Sequence, residues 1–308
     1  MSGVDRRTLL LGSAAMAAGR LLAQEPAGAA AQPVPRKRTL KKAVMIGMVN
    51  EGKTLLEKFT ILKECGFQGA ELDSPSDQKP EDVLEAIEKT GVAVHGLVDS
   101  VHWRLPLSHA SQEVRGKARQ ALETALRDAK RYGSTSILLV PAIVDAKTSY
   151  ADAWTRSLAE LQKVLPLAAE CNVKIGIENV WNNFLLSPLE AARYVDELKS
   201  EWVGWHFDVG NVIHYGWPEQ WVQILGKRIC KLHIKEYSRK KSDAEGKWKG
   251  FSVELLEGDN GWPLVMRALD EIGFSTAPAG NWATAEVGGG DHKRLAAIAT
   301  KMDQIFAL

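Results

Sequence analysis

Four residues of this chain are of types that bind divalent cations, and each stands at the end of a short apolar, β-prone run. Glu178 follows Ile175-Gly176-Ile177, and Asp208 follows Trp205-His206-Phe207. His233 falls within Ile229 to Glu236, and Glu286 within Trp282 to Val287. Two glutamates, an aspartate and a histidine form a hard-to-borderline donor set. Gly210, just past Asp208, permits the turn a strand needs when it feeds a loop. Taken singly, each residue has a structural explanation. Asp208 could cap a turn, His233 could be a satisfied core histidine, and Glu178 beside Asn179 could lie on a surface loop. A carboxylate at the edge of apolar surroundings, however, costs several kcal/mol unless a cation or partner compensates it. One shared metal ion would compensate all of them.

Such a meeting of strand ends requires parallel strands with their connections on the outside. From Lys42 the sequence alternates short apolar runs with longer amphipathic ones, the pattern of βα units. Strands are expected at 43–49, 68–72, 92–98, 136–140, 173–179, 203–208, 229–235 and 283–287. Helices are expected at 54–65, 80–90, 112–132, 151–171, from Ser187-Pro188 onward, 218–226, 262–272 and 291–306, with a polar, Lys-rich loop from Ser238 to Gly250. Pro80 at a helix start with Gly91 after its end, and Ser187-Pro188-Leu189-Glu190 as an N-cap, sharpen two boundaries. Eight strand and helix pairs predict an α/β fold, a single-domain (β/α)8 TIM barrel over residues 39–308. In that architecture the active site lies at the C-terminal mouth of the strands, where Glu178, Asp208, His233 and Glu286 all stand, on strands five to eight.

Composition narrows the partner. The 308 residues suit one large barrel, and the formal net charge of +1 gives no cause to invoke nucleic acid. No basic stripe, zinc-finger spacing or P-loop is present, so a small molecule is the expected partner. Residues 1–38 read as an address and linker rather than fold. Arg6-Arg7 ahead of the apolar stretch Leu9 to Ala23 looks like a twin-arginine export signal, with small residues at Ala27-Gly28-Ala29 and a departure at Arg20. The expectation is a periplasmic or otherwise exported protein, with no membrane association after export. Cys65, Cys171 and Cys230 form no CxxC pair and read as small buried residues. No later stretch approaches the roughly 18 to 20 apolar residues of a spanning helix. A homo-oligomer is left open.

Ile177-Glu178-Asn179, Phe207-Asp208-Val209-Gly210-Asn211, Leu232-His233-Ile234-Lys235 and Ala285-Glu286-Val287 resemble the sugar phosphate isomerase/epimerase-like barrels, related to xylose isomerases and ketose 3-epimerases. Leu256-Glu257-Gly258-Asp259 with Trp262-Pro263 is similar to the family's segment before its seventh helix. The resemblance covers essentially Lys41 to the C-terminus. It implies one divalent metal ion (Mn, Mg, Co or Zn) held by Glu178, Asp208, His233 and Glu286. It also implies isomerisation or epimerisation of a small sugar or keto-sugar through an enediolate, with Glu178 and Glu286 as the two candidates between which the catalytic base and acid roles are divided. Two departures stand out: Asn211 where ketose 3-epimerases carry a histidine, and Phe184 where they carry a glutamate. These keep a keto-sugar or inosose lyase or hydratase, for example on 3-keto-glycosides, as the alternative chemistry.

Substrate contacts are expected from residues around the mouth. Lys235, two after His233, points the same way along its strand, and Arg239 resembles a substrate-contacting arginine of the epimerases. Trp103 and Trp181 offer flat faces to a sugar ring, and Glu71, His102 and Asn211 offer hydrogen bonds. His95 and His206 are expected inside the barrel. A secreted sugar-binding barrel without turnover is a third reading. A DNA-repair endonuclease on this fold would need further strand-end histidines and a basic groove, which are not evident.

Overall fold

The computed structural model describes residues 37–308; the twin-arginine stretch lies outside them. Eight strands, β1 (Lys41–Met45), β2 (Gly69–Ser74), β3 (Ala93–Asp99), β4 (Ser136–Leu139), β5 (Lys174–Glu178), β6 (Val203–Asp208), β7 (Ile229–Ile234) and β8 (Trp282–Ala285), pair in sequence order. All pairs are parallel, and β8 returns to β1, closing the barrel. The chain is therefore a (β/α)8 barrel, as expected. Its helices are α1 (Leu55–Glu64), α2 (Pro80–Thr90), α3 (Gln112–Tyr132), α4 (Tyr150–Cys171), α5 (Pro188–Glu197), α6 (Val209–Ile213), α7 (Pro218–Leu225), α8 (Arg239–Glu245), α9 (Trp262–Glu271) and α10 (His292–Ala307).

Local signals explain most boundaries. Thr54 and Glu57 form a reciprocal capping box at the start of α1, and Ser111, Ser149 and Ser187 cap α3, α4 and α5. Gly91 ends α2 at φ 74°, a left-handed conformation that favours glycine. Two expectations needed correction. The Ser238–Gly250 stretch is not an open loop, because Ser238 caps α8 and a 3-10 turn follows at Lys247–Phe251. The last strand ends at Ala285, so Glu286 sits on the first residue beyond it.

Along β5, β6 and β7 the apolar residues face the helices. Ile175, Ile177, Trp205, Phe207 and Leu232 are fully buried in the layer that seals the barrel wall. The alternate residues point inward, and here the interior is polar rather than aliphatic. Lys231 of β7 reaches His95 Nδ1 of β3 at 3.1 Å, and Thr284 of β8 meets His95 Nε2 at 3.0 Å. Contacts between strands that are not neighbours can run only through the barrel, so His95 and His206 lie inside it as expected.

Candidate metal centre at the mouth of the barrel

Glu178, Asp208, His233 and Glu286 each offer a ligand atom, and those atoms all lie within 4.8 Å of one another. Parallel pairing sets Asp208 beside His233, while Glu178 and Glu286 end or follow the flanking strands. His233 Nδ1 stands 3.1 Å from Glu178 Oε1 and 2.8 Å from Glu286 Oε2. Each carboxylate is fixed by its own strand end. Asp208 accepts the Asn211 backbone N–H at 2.8 Å through Oδ1, capping the short α6, and so leaves Oδ2 directed into the cluster. The cap and the site use different oxygens of one side chain. Asn179 ties β5 to β6 by accepting from Trp205 Nε1 and the Asp208 N–H, each at 3.0 Å. Gly210 is required where it stands, because a Cβ there would lie 2.8 Å from the Lys235 carbonyl oxygen.

Charge in the cluster is incompletely compensated. Lys235 Nζ lies 3.0 Å from Asp208 Oδ2 and 2.9 Å from Glu286 Oε2, yet neither buried oxygen receives a well-directed hydrogen bond. Glu286 keeps 30% of its side-chain surface, but this oxygen faces inward. Burial pushes Asp208 up to about 7, reinforced by Glu286 and Glu178 and opposed by Lys235. Burial also raises Glu178. For Glu286 burial is overcome by Lys235 and His233, which hold its carboxyl well below the usual range. His233 is likewise buried, but the charges of Glu286 and Glu71 hold its pKa well above the ordinary value. Carboxylates that draw a proton onto an imidazole are those that a divalent cation would satisfy in its place. The donor set and the two orphaned oxygens therefore fit such an ion.

The remaining expected residues divide into two groups. Trp103, Trp181, Asn211 and Lys235 line a pocket of about 290 Å³ with Glu178 and Glu286. Asn211 donates from Nδ2 to the Asn179 carbonyl at 2.9 Å, while its Oδ1 is 3.4 Å from Lys235 Nζ. Glu71, His102 and Arg239 do not line this pocket. Glu71 is 2% exposed and lies behind His233, with its Oε2 2.8 Å from His233 Nε2. His102 is buried beneath Trp103, accepts from the Val140 N–H, and is pushed down to about 4 by burial. Arg239 turns toward the chain after β6, donating to the carbonyls of Ile213 and Gly216 at 2.9 and 2.7 Å and stacking over Trp217. An arginine at that spacing is legible in sequence; the carbonyls that capture it are not.

Sequence reasoning missed Trp248 and Phe251, which complete the pocket wall. Two aromatics within Lys247-Trp248-Lys249-Gly250-Phe251, an otherwise polar stretch, were the available signal. It also missed the layer beneath the site, where Glu71, His206 and His233 approach one another as closely as the four ligands do. Both ring nitrogens of His206 lack a partner, and burial first, then the charge on His233, keeps its pKa well below the ordinary value.

With this geometry established, kinship was decided by the family model for the xylose isomerase-like TIM barrel, which matches residues 59–299. The chain belongs to that family. Among curated xylose isomerase-like relatives, it is 28% identical over 233 residues to the putative L-ribulose-5-phosphate 3-epimerase SgbU of Escherichia coli K12, covering 71% of this chain and 80% of SgbU. Among solved structures of the fold, a D-tagatose 3-epimerase-like protein superposes with a TM-score of 0.72 at 18% identity, over 87% of this chain and 97% of that one. The IOLI protein with a bound zinc atom superposes with a TM-score of 0.68 at 15% identity, over 87% and 98%. Xylose isomerase-like relatives of this chain thus include sugar epimerases, and the chain carries a four-residue group able to hold a metal ion.

Proposed function

We propose that the protein is a divalent-metal-dependent sugar isomerase or epimerase that works through an enediolate, with Glu178, Asp208, His233 and Glu286 holding the ion. The observation that carries this reading is the convergence of four ligand atoms within 4.8 Å, two of them buried carboxylate oxygens without a directed hydrogen bond. A bound cation would supply Lewis-acid stabilisation of negative charge developing on substrate oxygens. The chain's own residues supply the rest. Glu178 and Glu286 both face the pocket, one ending β5 and the other following β8. Two carboxylates facing one bound sugar can take a proton from carbon and return one. Asn211 and Lys235 present an amide oxygen and an ammonium to substrate hydroxyls. The kinship with an epimerase supports the same reading.

Elimination or hydration on a keto-sugar is the second reading. Asn211 and Phe184, standing where ketose 3-epimerases carry a histidine and a glutamate, favour it. Incubation of substrate panels in deuterated water tests both. Glu178→Gln and Glu286→Gln are each expected to abolish exchange of the substrate C–H, and exchange persisting in either variant removes that residue from the role. Product analysis separates the two reactions, an isomer supporting the first and loss of water the second. Protein stripped by chelator should lose activity and regain it with added divalent cation; activity unaffected by stripping sinks the metal reading.

A further inference from the structure

The mouth of the pocket is a collar of aromatic side chains from three separate βα connections. Trp103 follows β3, Trp181 follows β5, and Trp248 and Phe251 follow β7. The Trp181 ring centre lies 4.6 Å from that of Trp248 and 5.0 Å from that of Phe251, so these three form one continuous wall. Trp181 is fixed by donating its indole N–H to the Asn211 carbonyl at 2.9 Å. Trp103 and Trp248 nevertheless remain 51% and 63% exposed. Large aromatics held at a rim around a polar centre suit a ligand with polar edges and flat apolar faces.

Charge at the same mouth points away from phosphate. Recognition of a phosphoryl group calls for arginine, lysine or free backbone N–H groups, and among the described residues Lys235 is the only cation lining the pocket. It is already engaged by Asp208 and Glu286. Barrels commonly place phosphate on the loops after strands seven and eight. Here the loop after strand eight, Gly288-Gly289-Gly290, is occupied by the fold, and in the connection after strand seven Arg239 donates to the carbonyls of Ile213 and Gly216 and Lys241 to that of Ser252. Gly290 exchanges backbone hydrogen bonds of 3.0 Å with Met48 and Asn50, and a Cβ on Gly289 would overlap the Met48 backbone. The following helix is capped by Asp291, whose negative charge stands where an anion would bind, and Arg294 is paired with Glu254. Lys247 does not line the pocket; its ammonium lies outside it over the aromatic rim, 5.3 Å from the Trp248 ring centre and 5.5 Å from that of Trp181.

We propose, resting on the sugar-enzyme reading above, that this site takes an unphosphorylated sugar carrying a second ring, such as a disaccharide or aryl glycoside. The reacting ring meets the carboxylates and the second ring stacks on Trp248 against Trp181. Trp248 is then a specificity residue that never touches the reacting carbon.

Titration calorimetry on the metal-loaded full chain tests this with D-fructose, D-fructose 6-phosphate and a 3-keto-disaccharide. The disaccharide is expected to bind three- to ten-fold tighter than the monosaccharide, about the gain of one stacked ring. Trp248→Ala should erase that advantage by weakening the disaccharide more than fructose, so that the ratio of the two affinities falls to about one, and the 6-phosphate should gain nothing. Tighter binding of the phosphate than of fructose overturns the proposal, as does a disaccharide preference untouched by Trp248→Ala or no preference at all. C–H exchange on the phosphorylated ketose alone would refute this substrate class while leaving the enzyme reading standing. A Trp248-dependent preference without any exchange would do the reverse.

Discussion

Glu71→Gln should weaken metal binding without removing any residue of the four-member cluster. Glu71 Oε2 lies 2.8 Å from His233 Nε2, and the pair is shut away from water at 2% and 1% exposure. An imidazole that donates from Nε2 to a carboxylate keeps its Nδ1 lone pair for a cation, in a fixed ring orientation. A hydrogen bond to a charged group contributes about 1.5 to 3 kcal/mol, and each 1.4 kcal/mol is a factor of ten in affinity. The variant should therefore bind Zn2+ or Mn2+ roughly ten- to a hundred-fold more weakly, the range known for partners of metal-bound histidines. Glutamine keeps the shape and can still accept from Nε2–H, so the lower end is expected for Glu71→Gln and the upper end for Glu71→Leu. Its amide also faces His206, whose ring nitrogens have no partner, so the fold should tolerate the change. Competition against a chelating dye measures the affinity, and imidazole nitrogen NMR of the Zn2+-loaded protein, in which His233 must be neutral to bind, reports which ring nitrogen keeps its proton. Affinity within two-fold of the parent, with the Nε2–H tautomer retained, would falsify the positioning role.

Lys235→Met should destabilise the metal-free protein by about 3–5 kcal/mol, because it strands the Asp208 and Glu286 carboxylates in a buried site. Added divalent cation should then raise its Tm by more than it raises the parent's; an unchanged metal-free Tm would refute the idea that Lys235 compensates this charge. Asp99, at the end of β3, is pushed from 3.8 up to about 7 by burial, with the Val101 N–H opposing. The folded state holds that proton more tightly than the unfolded chain, so its stabilisation is complete below about pH 4 and is lost as pH rises through 7, to a total of about 4 kcal/mol. Asp99→Asn, which stays neutral, should be more stable than the parent at pH 8, with the difference closing by pH 4 in urea unfolding. For export, replacing Arg6 and Arg7 by lysine should retain the protein in the cytoplasm, as fractionation would show; unchanged export would exclude the twin-arginine route.

The barrel was legible because its evidence is local and repeated. Eight apolar runs alternate with amphipathic segments whose ends carry Ser caps, Pro starts or Gly stops, and these boundaries are set by residues close by in sequence. The four candidate ligands were legible for a related reason. In a parallel barrel every strand end arrives at one mouth, so a residue's position on its strand nearly dictates its place in space. That logic placed Lys235 on the pocket wall, two residues beyond His233.

It failed where direction depends on a partner distant in the chain. Glu71 ends up behind the site because β2 faces His233 across the interior, 162 residues away. Arg239 is drawn off by the carbonyls of Ile213 and Gly216, which only the packing of the chain after β6 against the start of α8 brings within reach. Trp248 and Phe251 became a wall once a polar stretch coiled into a helix and a 3-10 turn over Tyr237 and Trp181. By itself the sequence determined the architecture and which donors reach the mouth, since both follow from periodicity and strand ends. The tertiary structure alone decided which groups support the donors, which line the pocket, and that the loop after β8 is tied to Met48 and Asn50, since those outcomes rest on contacts between segments far apart in the chain.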